Sequence, residues 1–270
     1  MDATARKPVD AVGIDAAAAT DAADRFEYLL RLGDNALVLS QRLSEWCGKG
    51  PAFEEDMALT NVALDLLGQA RLWLAYAGET EGRGRGENEL AFLRDAHAFR
   101  NVLLVEQPND GYARTLARQF LFDAWHALLL QRLARSIDER IAQIAAKGIK
   151  EVDYHQRRSA DLVVRLGDGT DESRARMQAA LDELWPFAGE LFEADALERR
   201  LAEAGVGCDP SELLAPWTGH VRAVLSDATL SVPQAAWSQR GGKQGRHGEK
   251  LGFLLAEMQF LQRAYPGAAW

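Results

Sequence analysis

Residues 54–78 read EEDMALTNVALDLLGQARLWLAYAG, and between Met57 and Ala77 the only charged side chains are Asp65 and Arg71. The apolar residues recur at helical rather than alternating spacing. A helix apolar nearly all round is expected to be central and buried nearly all round. A chain with such a segment needs other helices to wrap it, and this one supplies them. Residues 28–46, 112–136 and 138–167 each carry a long helical pattern, the last despite Gly148. The Gly48-Lys49-Gly50-Pro51 run, the glycine-rich loop at 81–89 and the turn at 107–111 punctuate them. A short helix is expected around 90–101, and shorter ones over 171–185, 190–204, 211–227 and 247–265, with a break near Trp185-Pro186. No strand pair and no repeat of fixed period is evident. The reading is all-α: a four-helix bundle over about 26–168, with a helical extension over 169–270 packed on it as one domain.

Composition narrows the function. The net charge is −9, with 40 acidic side chains against 31 Lys and Arg, which speaks against a nucleic-acid surface or a polybasic membrane contact. No run reaches the roughly 18 apolar residues of a membrane span. Residues 1–25, rich in Ala and Asp, lack the basic start and apolar block of a signal peptide and read as a flexible arm outside the core. Cys47 and Cys208 have no metal-type spacing and read as reduced thiols of a cytoplasmic protein.

One acid stands inside an apolar run on each of the four long helices: Asp34, Asp65, Asp123 and Glu151. A di-iron carboxylate bundle places one acid on each of two helices and an acid plus a His three residues later on the other two, because positions i and i+3 share a face. The acids here follow that order, but the histidines do not. Three residues after Asp65 comes Gly68, and three after Glu151 comes Tyr154. His126 follows Asp123 by three, on the helix where the pattern wants a lone acid, and reads better as a hydrogen-bonded core residue. His155, about 40° around the helix from Glu151, belongs either to the edge of the site or to a core hydrogen bond. Acids buried without a metal must be paired, hydrogen-bonded or protonated. One reading has the Lys147 ammonium among them where iron would sit, with Gln69, Tyr154, Gln41 and Tyr76 completing a polar network. The other has Lys147 reaching solvent and pairing with Glu151 alone. Either way the pattern is that of a degenerate di-iron site, with no catalytic, cofactor-binding or metal-ligating residue assigned.

YLLRLGDNALVLSQRLSEW, ALDLLGQAR, LLVEQPN, ARQFLFDAWH, AAKGIKEVDYH, RLGDGTDES and the segment from Gly241 to Trp270 together are specific. Through them the chain, from about residue 26 to Trp270, resembles the C subunits of bacterial phenylacetyl-CoA 1,2-epoxidases, the ring-epoxidising multicomponent oxygenases of phenylacetate catabolism. The resemblance implies a ferritin-like fold and a hetero-oligomer with a catalytic A subunit, alongside the other components of the complex. In that complex the di-iron centre and the binding site for the CoA ester lie on the A subunit. A reductase with flavin and an iron–sulfur centre supplies electrons from NADPH. The resemblance also implies that a chain of the C type is non-catalytic, holds no cofactor and stabilises its A partner. The alternatives are an active di-iron oxygenase or ferroxidase using Asp34, Asp65, Asp123, His126 and Glu151, and a ferritin-like binding module outside any such complex.

Two further features bear on partners. Trp185, Trp217, Trp237 and Trp270 are candidate interface anchors, although most are expected to fill the core, and the outer faces of the first bundle helices are equally good candidates. Lys243, Arg246 and His247, in GGKQGRHGEK, lie beside a helix start and are candidate anion ligands. A structural or subunit-contacting loop is the stronger reading there.

Overall fold

A computed structural model of the chain describes residues 10–235 and 237–268, with side chains from residue 21. All regular structure among these residues is helical. The long helices are α1 (Asp10–Ser44), α2 (Phe53–Glu81), α4 (Tyr112–Leu133) and α5 (Glu139–Gly167). The short α3 (Glu87–Phe92) lies in the α2–α4 connection. The chain continues through α6 (Asp171–Ala188), α7 (Ala196–Glu203), α8 (Leu214–Asp227) and α9 (Glu249–Ala264). Helices α1 and α2 pack as one hairpin and α4 and α5 as another, and the two hairpins meet in a ferritin-like bundle. Helices α6 and α8 lie on α4 and α5, and α9 lies on α3.

Local chemistry explains the boundaries. Glu54, Glu55 and Asp56 sit in the first turn of α2, where carboxylates favour the positive end of the helix dipole. Gly82 ends that helix in the left-handed conformation, with φ of 69°. Asp138 caps α5 by accepting the N–H groups of Arg140 and Ile141. Gly148 lets α5 close on α4: a Cβ there would lie 3.0 Å from the Leu130 side chain, which explains a glycine inside a long helix.

Three expectations change. Helix α1 begins at Asp10, so residues 10–25 are helical rather than a loose arm; residues 1–9 lie outside the described residues. Alanine is the strongest helix former, and the 21–25 turn is tied down. Asp24 accepts Arg200 Nε at 2.7 Å, and Arg25 donates to Asp21 and lies 3.5 Å from Asp138. Helix α6 runs through Pro186 to Ala188 instead of breaking. Its Trp185 packs 5.5 Å from Trp217, whose indole N–H donates to the Leu121 carbonyl of α4 at 3.1 Å. Finally, α2 is not buried all round: Met57, Leu64 and Gly68 are exposed along one side.

Candidate functional site

The four acids do not share a centre. Asp34, fully buried on α1, holds both carboxylate oxygens against the Arg94 guanidinium, one of them at 2.9 Å, and also accepts the Arg100 N–H at 2.8 Å. Arg94 stacks over Phe99, 4.3 Å from the ring centroid. Asp34 therefore anchors the connection between α3 and α4. Asp65 on α2 is half-buried and faces His155 Nε2 of α5 at 3.0 Å. Glu151 of α5 accepts Gln69 Nε2 at 2.9 Å.

Asp123 of α4 is, like Asp34, fully buried. It accepts Gln119 Nε2 at 2.6 Å, while its second oxygen has no hydrogen-bond partner among the described residues. Burial pushes its carboxyl up to about 6, against the opposing pull of His155, Ser159 and Gln119. His126, one turn along α4, is buried with an unpartnered Nδ1 and packs 5.1 Å from the Phe122 ring. Burial, and then the neighbouring His155, depress it to about 3, so it is a neutral core imidazole, but without the hydrogen bond expected of it among the described residues. This centre can hold a proton on Asp123 near mildly acidic pH.

Of the two readings of Lys147, the one that places its ammonium among the acids is overturned, and the one that places it in solvent holds without the pair to Glu151. Lys147 is exposed, and among the described residues it makes neither a hydrogen bond nor an ion pair with any acid, Glu151 included. Tyr154 is 45% exposed, on the outer side of α5. Tyr76 donates instead to Asp138 at 2.6 Å, and Gln41, half-buried, bonds to none of the acids. Of the expected network only Gln69 joins one of the four acids. The positions also fail as a bridged di-iron centre. Such a centre needs carboxylates shared between two ions, whereas the oxygens of Asp34 are taken by Arg94 and Arg100, and Asp65 and Glu151 are held singly. Among the described residues no three His, Cys, Asp or Glu side chains converge to hold a metal ion.

The candidate anion loop is corrected as well. Lys243 Nζ is buried and donates to Glu198 Oε1 and to the Glu193 carbonyl, each at 2.8 Å. His247 directs Nδ1 at Glu106 Oε2, 2.8 Å away, and Nε2 at the Phe99 carbonyl, 3.0 Å away. Both ring nitrogens face acceptors, an arrangement that favours the doubly protonated ring. Burial lowers its pKa, but the Glu106 carboxylate outweighs it, and the net shift is upward. Lys243 and His247 are thus engaged from within and structural, while Arg246 is exposed and has no ion pair among the described residues.

Sequence reading missed the carboxylates that stitch this region. Glu106 also accepts the Gly248 N–H at 2.6 Å and Asn101 Nδ2 at 3.0 Å, while Glu190 accepts the N–H groups of Leu103 and Gly241, each at 2.8 Å. A lone acid ending the apolar run LLVE was the available signal for Glu106. Of the tryptophans, Trp217 is core, Trp185 packs on it, Trp237 is 58% exposed, and Trp270 lies outside the described residues.

Comparisons with known proteins follow the same lines. The chain is 54% identical over 243 residues to the C subunit of the 1,2-phenylacetyl-CoA epoxidase of Escherichia coli (strain K12), covering 90% of this chain and 98% of that protein. No helix among the described residues is long and apolar enough to cross a membrane. The family described as Phenylacetic acid catabolic protein matches residues 9–270, and the chain belongs to that family.

Proposed function

We propose that this chain is the non-catalytic C-type subunit of a phenylacetyl-CoA 1,2-epoxidase, acting in aerobic phenylacetate degradation in the cytoplasm, where it binds and stabilises the di-iron A subunit. One observation carries the reading beyond sequence likeness: Arg94 occupies the carboxylate of Asp34, an acid that a di-iron centre would need as a ligand. On this reading the chain contributes packing surface. The iron, and the electrons from NADPH through flavin and an iron–sulfur centre, belong to its partners.

The test is to purify the chain alone and with the A subunit, and to measure iron and epoxidation in each. Iron and turnover are expected only in the complex, together with a higher unfolding temperature of the A subunit there. Two irons per isolated chain, with ferroxidase or oxygenase turnover, would replace this reading with an active di-iron enzyme. An A subunit that neither binds the chain nor is stabilised by it would leave a ferritin-like binding module.

A further inference from the structure

Helix α2 has the composition of a helix buried on all sides, yet one side of it is open. Its outward positions Met57, Asn61, Leu64 and Gly68 are exposed and uncharged, followed by the exposed Arg71 and the half-buried Ala75. Leu64 is 60% exposed and Met57 49%. A charge-poor stripe of this length, with Met57 and Leu64 open to water, marks a contact surface. Gly68 sharpens the point. A glycine inside a helix weakens it, and a Cβ at Gly68 would meet nothing within 4 Å, so packing within the chain does not require it. A glycine here lets another backbone approach closely.

Beside the stripe runs α5, antiparallel and joined to α2 by the Asp65–His155 and Gln69–Glu151 hydrogen bonds. Its outer positions carry Lys147, Lys150, Tyr154 and Arg157. Among the described residues none of these three cations has an ion-pair partner, on a chain whose net charge is −9. A two-fold contact between copies of the chain would set this basic stripe near its own image, which disfavours a second copy as the occupant.

We propose that the α2/α5 face receives a helix of the partner subunit, small and apolar where it meets α2 and carboxylate-bearing where it meets α5. This rests on the subunit reading above and adds the surface and the chemistry of the contact. Such a helix would cover the stripe from Met57 to Ala75 and neutralise the α5 cations, so the complex is expected to weaken as salt rises.

The experiment titrates the A subunit against the full chain, with unfolding temperature and sedimentation measured in parallel. Gly68→Arg is expected to fold as the parent does, since the site is open, yet to weaken binding by roughly 30-fold or more. Lys150→Glu is expected to weaken binding and flatten its salt dependence, while Phe260→Asp on α9 leaves affinity unchanged. If the parent binds the A subunit and Gly68→Arg and Leu64→Asp bind it equally well, the face is wrong although the subunit reading stands. Should the parent itself not bind, the subunit reading falls, and this inference with it. Loss of a parent self-dimer in Gly68→Arg, with affinity for the A subunit intact, would assign the face to a second copy instead.

Discussion

Arg94 and Asp34 form a fork-to-fork ion pair that ties α1 to the start of the α3–α4 connection, with both side chains buried. A buried pair is costly to break from one side, because the remaining charge stays desolvated. Arg94→Met is therefore expected to lower unfolding free energy by about 3–5 kcal/mol. The double variant Arg94→Met with Asp34→Leu should recover a large part of the loss. Urea titrations of the three proteins measure both numbers, and equal losses in the single and double variants would contradict the pairing.

Asp123 gives a pH signature. Its carboxyl titrates near 6 in the fold and at about 3.9 in an unfolded chain. Between those values the folded chain keeps a proton that the unfolded chain has released, so stability from this group falls as pH rises through the window. Asp123→Asn is expected to gain on the order of 1–2 kcal/mol at pH 7.5 relative to pH 5, compared with the parent. His126 acts in the opposite sense. Held neutral down to about 3, it makes the fold lose stability as pH falls below its unfolded value of about 6.5. Denaturation curves from pH 4 to 8 separate the two, and an unchanged slope in Asp123→Asn would count against the raised carboxyl.

Lys147 is expected to be silent in stability. It stands in solvent with no acid at hand, so Lys147→Met should shift unfolding free energy by less than about 0.5 kcal/mol across neutral pH. A loss of several kcal/mol would put the ammonium back among the acids.

The His247–Glu106 pair predicts a high-pH signature. Because the folded pKa is raised, its stabilisation is complete below about 6.5 and fades as pH climbs through the folded value. In proton NMR titrations the His247 ring should titrate above a free histidine, and in Glu106→Gln it should drop. That variant should also cost about 2–4 kcal/mol, since an amide nitrogen would be turned toward the donors now on Glu106.

The long helices were legible from local chemistry, and their caps act just as locally. Acids in the first turn of α2, Asp138 before α5 and Gly82 after α2 act within a few residues, so the sequence carries them openly. The inward acids were legible as singular charges in apolar runs. Their partners were not: Arg94 is 60 residues from Asp34, His155 is 90 from Asp65, and His247 is 141 from Glu106. No periodicity links such positions, because chain reversals bring them together.

The amino-acid order by itself determined an all-helical chain and the loss of the paired histidines, since helical period and residue identity at fixed spacing are local properties. Only the tertiary structure decided that Asp34 is drawn away to Arg94, that Asp65 and Asp123 both lie near His155, and that Lys147 and Tyr154 look outward. The rotation of each helix about its axis is fixed by what packs against it.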